Sequence, residues 1–342
     1  MATSQPFEFR RSRDFGESFS ALFEFLRRNW KNLLQSLIFI AGPLILIMGV
    51  GGGFLISEIF SVLQQTSFGS PDFLVKISEV VMKGFILWIV YFLTGASVLA
   101  ITCEYIQLSV DGIGEQFTVS LLWSKITSHF WRHVANFIAI NSVGLVMLLP
   151  FAIIIGVLGG AGLGGMELVV IFYLLMFFVG LPLSIYITIV LSLFPMMRMS
   201  ENIGVFAGIK RCFFLIKNNF WATVGYYIIV GLIQGVVGMI FTIPFYIMYF
   251  IAIITVIPQS GQMQDGTALF SNFGTGFQIA FTIAGVIAVG GSLLLNSIMT
   301  SAHALQYFNL VERKEGVGMM AKLEQLGTPE SPTDEQENRE EY

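Results

Sequence analysis

Charge is scarce in this chain. Of 342 residues only 12% are Asp, Glu, Lys or Arg, against roughly 25% in an average soluble domain. Cysteine is limited to Cys103 and Cys212, which excludes a disulfide framework and reads as two ordinary reduced thiols. No glycine run is followed by Lys-Ser/Thr, so a phosphate-binding loop is excluded. No Ser/His/Asp or Cys/His set can be assembled, and no basic surface interleaved with aromatics suggests nucleic acid. No secretory leader is expected either. The first 32 residues are polar and carry Arg10, Arg11, Arg13, Arg27, Arg28 and Lys31 ahead of the first apolar run, which is therefore expected to be an uncleaved anchor.

What the chain has instead is apolar surface. Hydrophobic residues make up 55%, 35 glycines come on top, and the mean hydropathy is +0.77. A soluble core of this size cannot hide that much, so the composition predicts an all-α polytopic membrane protein. Six apolar runs are long enough to cross a hydrocarbon layer of about 30 Å: Leu33 to Ile56, Gly84 to Leu108, Val134 to Leu158, Leu168 to Met196, Ala222 to Phe245 and Phe277 to Thr300. The fifth stays apolar to Ile257. As a continuous helix it would reach roughly 54 Å, so a kink at Pro244 or a projection beyond the bilayer is expected.

Basic residues are retained on the cytoplasmic side of a membrane. Sixteen of the 18 fall in the N-terminal segment, the connections 109–133 and 198–221, and the C-terminal segment; only Lys76 and Lys83 lie in the alternate connections. Both termini are therefore expected in the cytoplasm. The net charge of -4 carries less, because nine of the 22 acids lie between Glu312 and Glu341. Residues 328–342, acidic and with two prolines, are expected to be a disordered tail.

A short pattern recurs at this face. Asp111-Gly112-Ile113-Gly114, Glu201-Asn202-Ile203-Gly204 and Glu315-Gly316-Val317-Gly318 each follow a membrane helix, and Asp14-Phe15-Gly16 is a degenerate copy. Each is followed by an amphipathic stretch: one within residues 1–32, one near 115–132, one near 204–221, and a truncated one within 312–327. The first three end in Trp30, Trp131 and Trp221, the residue type expected to anchor an in-plane helix at a membrane interface. The spanning helix after each contains a proline, Pro43, Pro150 or Pro244. The pattern predicts three repeats of in-plane amphipathic helix plus helix pair, with the six-helix domain over 33–311.

The stretch Glu201 to Gly225, ENIGVFAGIKRCFFLIKNNFWATVG, resembles the cytoplasmic repeat of a broad group of bacterial six-helix membrane proteins, and is similar to the membrane domain attached to some glycerophosphoryl diester phosphodiesterases. Residues 304–318, ALQYFNLVERKEGVG, look like the C-terminal signature of the Bacteroidetes members. The resemblance extends to about Gly327. It implies a bacterial inner-membrane location and, because the phosphodiesterase catalytic domain has no counterpart in these residues, no inherited enzyme activity.

Four polar residues within or near the spans are singled out as candidates: Glu104, Asn141, Asn296 and His303. Glu104 is the most embedded acid, expected to pair with a Lys or Arg at the interface or to act as a gate. Asn141 and Asn296, with Thr188 and Gln234, are expected to hold neighbouring helices together or to line a polar cavity. His303 is expected at a helix interface. His129 and His133 stand four apart and could offer both rings to a metal, but no Glu follows His129 as in HExxH and no nearby acid or cysteine is visible to complete a shell; they are read as interfacial. No catalytic, cofactor or metal site is therefore expected. The glycines from Gly49 to Gly53 are expected to serve close helix packing. Two functions fit: a non-enzymatic scaffold or accessory subunit, with lipids, other membrane proteins or a second copy as partners, or a transporter or channel for a small neutral or lipid-like substrate. A continuous polar cavity reaching Asn141 and Asn296 separates them.

Overall fold

The computed structural model describes residues 7–65, 70–113, 117–160, 166–256, 275–320 and 323. Among these there is no strand. Eleven α-helices follow in order: α1 (Phe15–Ser36), α2 (Gly42–Gln65), α3 (Pro71–Val110), α4 (Val119–Ser128), α5 (Phe130–Gly160), α6 (Met166–Leu175), α7 (Leu181–Leu191), α8 (Phe194–Glu201), α9 (Val205–Ile216), α10 (Phe220–Val256) and α11 (Thr275–Glu315). Five helical stretches are long and apolar enough to span a membrane: Phe15–Leu55, Pro71–Val110, Val169–Glu201, Phe220–Ile251 and Ile279–Glu315. The third of the six expected spans falls on α5, whose 31 residues reach about 46 Å; the side chains of residues 143–149 lie outside those described. The acidic tail and most of the truncated last amphipathic segment also lie outside them.

One segment departs from the sequence reading. The first amphipathic stretch does not end at Trp30: α1 runs through a π-helical turn, Leu37–Ala41, directly into α2. The polar residues beside Trp30 are satisfied within the helix or across to α3. Asn29 donates to the Phe25 carbonyl at 2.8 Å and accepts from the Tyr105 hydroxyl at 2.7 Å, and Ser36 Oγ donates to the Asn32 carbonyl at 2.7 Å. Asp14 begins this helix rather than closing one. Its carboxylate accepts from Glu17 N at 2.7 Å while Glu17 returns the bond to Asp14 N at 3.0 Å, a reciprocal cap. Further on, α10 continues as one 37-residue helix through Pro244, and a second π turn, Met176–Gly180, joins α6 to α7.

α11 is the hub, packing on α2, α3 and α10, while α5 packs on α3, α6 and α7. The crossing of α2 and α11 is antiparallel and close: Ile45, Gly49 and Gly53 meet Gly290, Val286 and Thr282 in steps of four. The buried core is concentrated at one end, where Phe25, Tyr105, Leu122, Phe194, Met197, Cys212, Leu215 and Tyr226 close against Phe308 of α11. Elsewhere large side chains such as Phe177, Phe178, Leu232 and Ile240 stand exposed, as surfaces facing lipid require. The core end is also where the basic residues of α1, α4, α8 and α9 gather, and it is called the basic end below.

Each recurring turn has the same backbone twist at its second residue. Gly112, Asn202 and Gly316 are left-handed, with φ of 76°, 50° and 60°, the conformation that closes a helix C-terminus and that glycine and asparagine tolerate. The two later amphipathic stretches form separate short helices, α4 and α9, each leading into a long helix, α5 or α10, whose first residues are Phe-Trp. Phe130 and Trp131 lie edge to face at 5.3 Å and 72°, Phe220 and Trp221 at 5.2 Å and 70°. Trp30, Trp131 and Trp221 are all exposed.

Cys103 and Cys212 are both free and buried. Burial pushes the Cys212 thiol on α9 up to about 12, so it is neutral and unreactive at physiological pH. At pH 8 the folded protein is expected to take up no polyethylene-glycol maleimide and the protein in dodecyl sulfate to take up two, read as gel shifts; labelling at the same rate in both states would contradict this packing.

Candidate functional site

Two polar features sit side by side where α3, α5 and α11 approach one another. The first is a cavity of ≈ 290 Å³ between α3, α5, α7, α8 and α11, near the lower end of the range typical of small-molecule sites. Most of its wall is apolar, but Asn141, Thr188, Ser192, Asn296, Thr300 and His303 all contribute to it. No Asp, Glu, Lys or Arg lines it. The sequence candidates Asn141, Asn296 and His303, more than 160 residues apart at their extremes, thus meet around one space.

Their hydrogen bonding is incomplete. Asn141 Nδ2 donates to the Phe137 carbonyl at 2.8 Å, and Asn296 Oδ1 accepts from Gln234 Nε2 of α10 at 3.2 Å, so Asn296 also ties two helices together. Among the described residues Asn141 Oδ1, Asn296 Nδ2 and the ring nitrogens of His303 have no partner. His303 packs edge to face on Tyr227 at 4.6 Å, and the Tyr227 hydroxyl lies 3.0 Å from Ser192 Oγ. The cavity therefore offers neutral donors and acceptors on a greasy wall, held in place by α10 from behind.

The second feature lies one helical turn along α5 from the cavity residue Phe137. Glu104 of α3 is only 3% exposed, and its Oε1 stands 2.8 Å from His129 Nδ1 and 3.0 Å from His133 Nε2. An ionised carboxylate can only accept, so both ring nitrogens donate to it. This corrects the sequence reading on two counts. The acid that the histidine pair lacked is Glu104, and Glu104 pairs with imidazoles, with no Lys or Arg forming an ion pair to it among the described residues. The chain folds this way because α4 turns back against α3 and stops at His129, whose N–H still closes α4 on Lys125 while its carbonyl accepts from Arg132 and His133 and begins α5. Next to this cluster Asn136, also buried, accepts from Arg198 Nη1 at 2.7 Å and leaves its own Nδ2 without a partner among the described residues.

Neither Asn136 nor Arg198 was visible as a site from the sequence. Nor was the bridge in which Arg211 of α9 reaches Glu201 and Glu315 together. Those carboxylates, Glu315 ahead of Glu201, hold the Arg211 guanidinium above its ordinary pKa.

Fold and spans define the class: this is an all-α, multi-pass integral membrane protein. No protein-family profile, curated protein or solved structure matches the chain, so the reading of its sites rests on the geometry above.

Proposed function

We propose that the protein binds a small neutral or lipid-like molecule in the cavity among α3, α5, α7, α8 and α11, and acts as a transporter or channel for it without chemical conversion. The observation that supports this reading is the cavity itself: uncharged, mainly apolar, and edged by Asn141, Asn296 and His303 with hydrogen-bonding atoms to spare. A charged ligand would find no counter-ion there, whereas an apolar body with one or two hydroxyl or carbonyl groups would satisfy the wall and the polar edge together. Proline within α5 and α10 fits a bundle whose helices change shape. The orientation expected from the basic residues, with both termini in the cytoplasm of a bacterial inner membrane, belongs to this reading, as do the threefold repeat and kinship with the six-helix membrane family.

The test is extraction and mass spectrometry of the protein purified in mild detergent. A non-annular molecule is expected at close to one per chain. Loss of two hydrogen bonds at about 1 kcal/mol each in Asn141→Leu/Asn296→Leu weakens its retention roughly 30-fold, and Thr188→Trp, which fills the cavity, removes it. A ligand-free protein that also supports no flux in reconstituted vesicles would overturn this reading. A scaffold or accessory role would then stand in its place, supported by the exposed Trp30, Trp131 and Trp221 and by the exposed Met319, Met320 and Leu323 beyond α11, which suit lipid or a partner membrane protein.

A further inference from the structure

We propose that Glu104, His129 and His133 form a binding site for a divalent transition metal, with Zn²⁺ the best match. This goes beyond ligand binding in the cavity and does not depend on it. The three side chains each present one donor atom, and all three atoms lie within 4.8 Å of one another. Two imidazoles and one carboxylate are a donor set for zinc and its neighbours, not for magnesium or calcium, which take oxygen ligands. His129 stands at the junction where its carbonyl accepts the His133 N–H, both rings reach Glu104 Oε1, and Glu104 comes from a different helix, so the set closes on a point between α3 and the α4–α5 junction.

The distances are close to those a metal needs. Bonds of about 2.0–2.1 Å in tetrahedral zinc place donor atoms about 3.3 Å apart, and the present separations from Glu104 Oε1 are 2.8 and 3.0 Å. Lengthening the two Glu104 contacts by a few tenths of an ångström, with the two imidazole nitrogens no more than 4.8 Å apart, brings the three donors around one ion. Each ring turns a lone pair to the metal as it enters, a neutral imidazole carrying its proton on the other ring nitrogen and an imidazolium releasing one proton to solvent, while the carboxylate stays ionised. Zinc would also answer an electrostatic difficulty, since an ionised carboxylate in a buried position is costly without a cation, and no Lys or Arg forms an ion pair to Glu104 among the described residues.

Access and coordination number follow from burial. Glu104 and His133 are closed off, each with 4% of the side chain exposed, but His129 is 36% exposed. It forms part of an open groove with Thr127, Ser128, Phe130, Trp131 and Arg132. Three protein ligands with one side open is the pattern of a zinc site that keeps a fourth position for water or an exogenous ligand. By joining α3 to the only residue between α4 and α5, the ion would also fix the angle at which α5 leaves the basic end.

The experiment uses the full-length protein in detergent, stripped with a chelator and dialysed against Zn²⁺ or Co²⁺. Elemental analysis is expected to find close to one zinc per chain, and the cobalt form to show the visible bands of a four-coordinate ion. His129→Ala and Glu104→Gln are each expected to weaken binding by at least the roughly 10–100-fold that loss of even an outer-shell partner costs and to abolish the four-coordinate spectrum. A well-folded wild-type protein that retains less than about a tenth of an equivalent overturns the proposal. So does zinc binding with an unchanged cobalt spectrum in His129→Ala, the half-exposed position whose variant decides the matter if Glu104→Gln fails to fold.

Discussion

Gly49→Leu is expected to prevent the protein from accumulating as a folded, monodisperse species. A Cβ at this position would lie 2.8 Å from the Cα of Val286 and 2.9 Å from its Cβ, well inside van der Waals contact. The obstacle is the backbone of α11, which cannot turn aside as a side-chain tip can. Relief requires the helices to separate along the whole Ile45–Gly49–Gly53 register, since Gly53 meets Thr282 one turn away with its own Cβ position 2.6 Å from Oγ1. Inserting bulk into a packed contact costs about 1–3 kcal/mol and sometimes more. Backbone contact and a two-turn seam place this case at the upper end, at about 3 kcal/mol or above. The run contains its own control. A Cβ on Gly52 meets nothing within 4 Å, so Gly52→Ala is expected to leave stability unchanged or slightly raised. Thermal unfolding in detergent, followed by size-exclusion chromatography, distinguishes the two variants. A Gly49→Leu protein that melts with wild type would mean that α2 and α11 do not cross at this glycine.

Close packing at the Gly49 to Gly53 run was expected from the sequence, but its four-residue register and its partner on α11 come from the structure. The spans were legible because length and hydropathy are properties of contiguous residues. What escaped was whatever depends on contact between segments far apart in the chain. Glu104 and the histidine pair are separated by 25 and 29 residues, and they meet only because α4 turns back on α3; the amphipathic pattern of 117–130 gives no hint of which neighbour it will cover. Asn136 and Arg198 are 62 apart and each alone looks ordinary. The continuity of α1 with α2 was hidden for the opposite reason. Trp30 was read as the end of an in-plane helix, and the chain instead runs on through it, with Asn29 given a partner on α3 and both Asn29 and Ser36 a carbonyl in their own helix. Polar residues in an apolar chain marked places where something happens, but their pairing belongs to the tertiary fold.

Arg211→Met is expected to lower stability by about 2 kcal/mol, and Arg211→Lys to recover less than half of that loss. Glu201 ends α8 and Glu315 ends α11, each just before its left-handed residue, so both carboxylates sit at the negative end of a helix dipole, where an acid is disfavoured. Arg211 offsets both at once. Its Nε donates to the two Glu201 oxygens at 3.1 and 3.0 Å, its Nη2 to Glu315 Oε2 at 2.8 Å, and its Nη1 also contacts Glu315. The Tyr307 hydroxyl adds a bond to Glu201 Oε1 at 3.0 Å. Removing the guanidinium leaves two acids facing each other with helix carbonyls behind them. A hydrogen bond to a charged group contributes about 1.5–3 kcal/mol, but exposure screens ion pairs towards about 0–1. With side-chain exposures of 21, 24 and 33%, the network falls between these limits, at about 2 kcal/mol for the whole. Lysine brings a single point charge where a planar fork is needed to reach both carboxylates. Double-mutant cycles of Arg211→Met with Glu201→Gln and with Glu315→Gln are each expected to give a coupling above about 0.5 kcal/mol. Strict additivity in both cycles would show that the recurring acid-turn exits of α8 and α11 are closed independently, without an ionic tie between them.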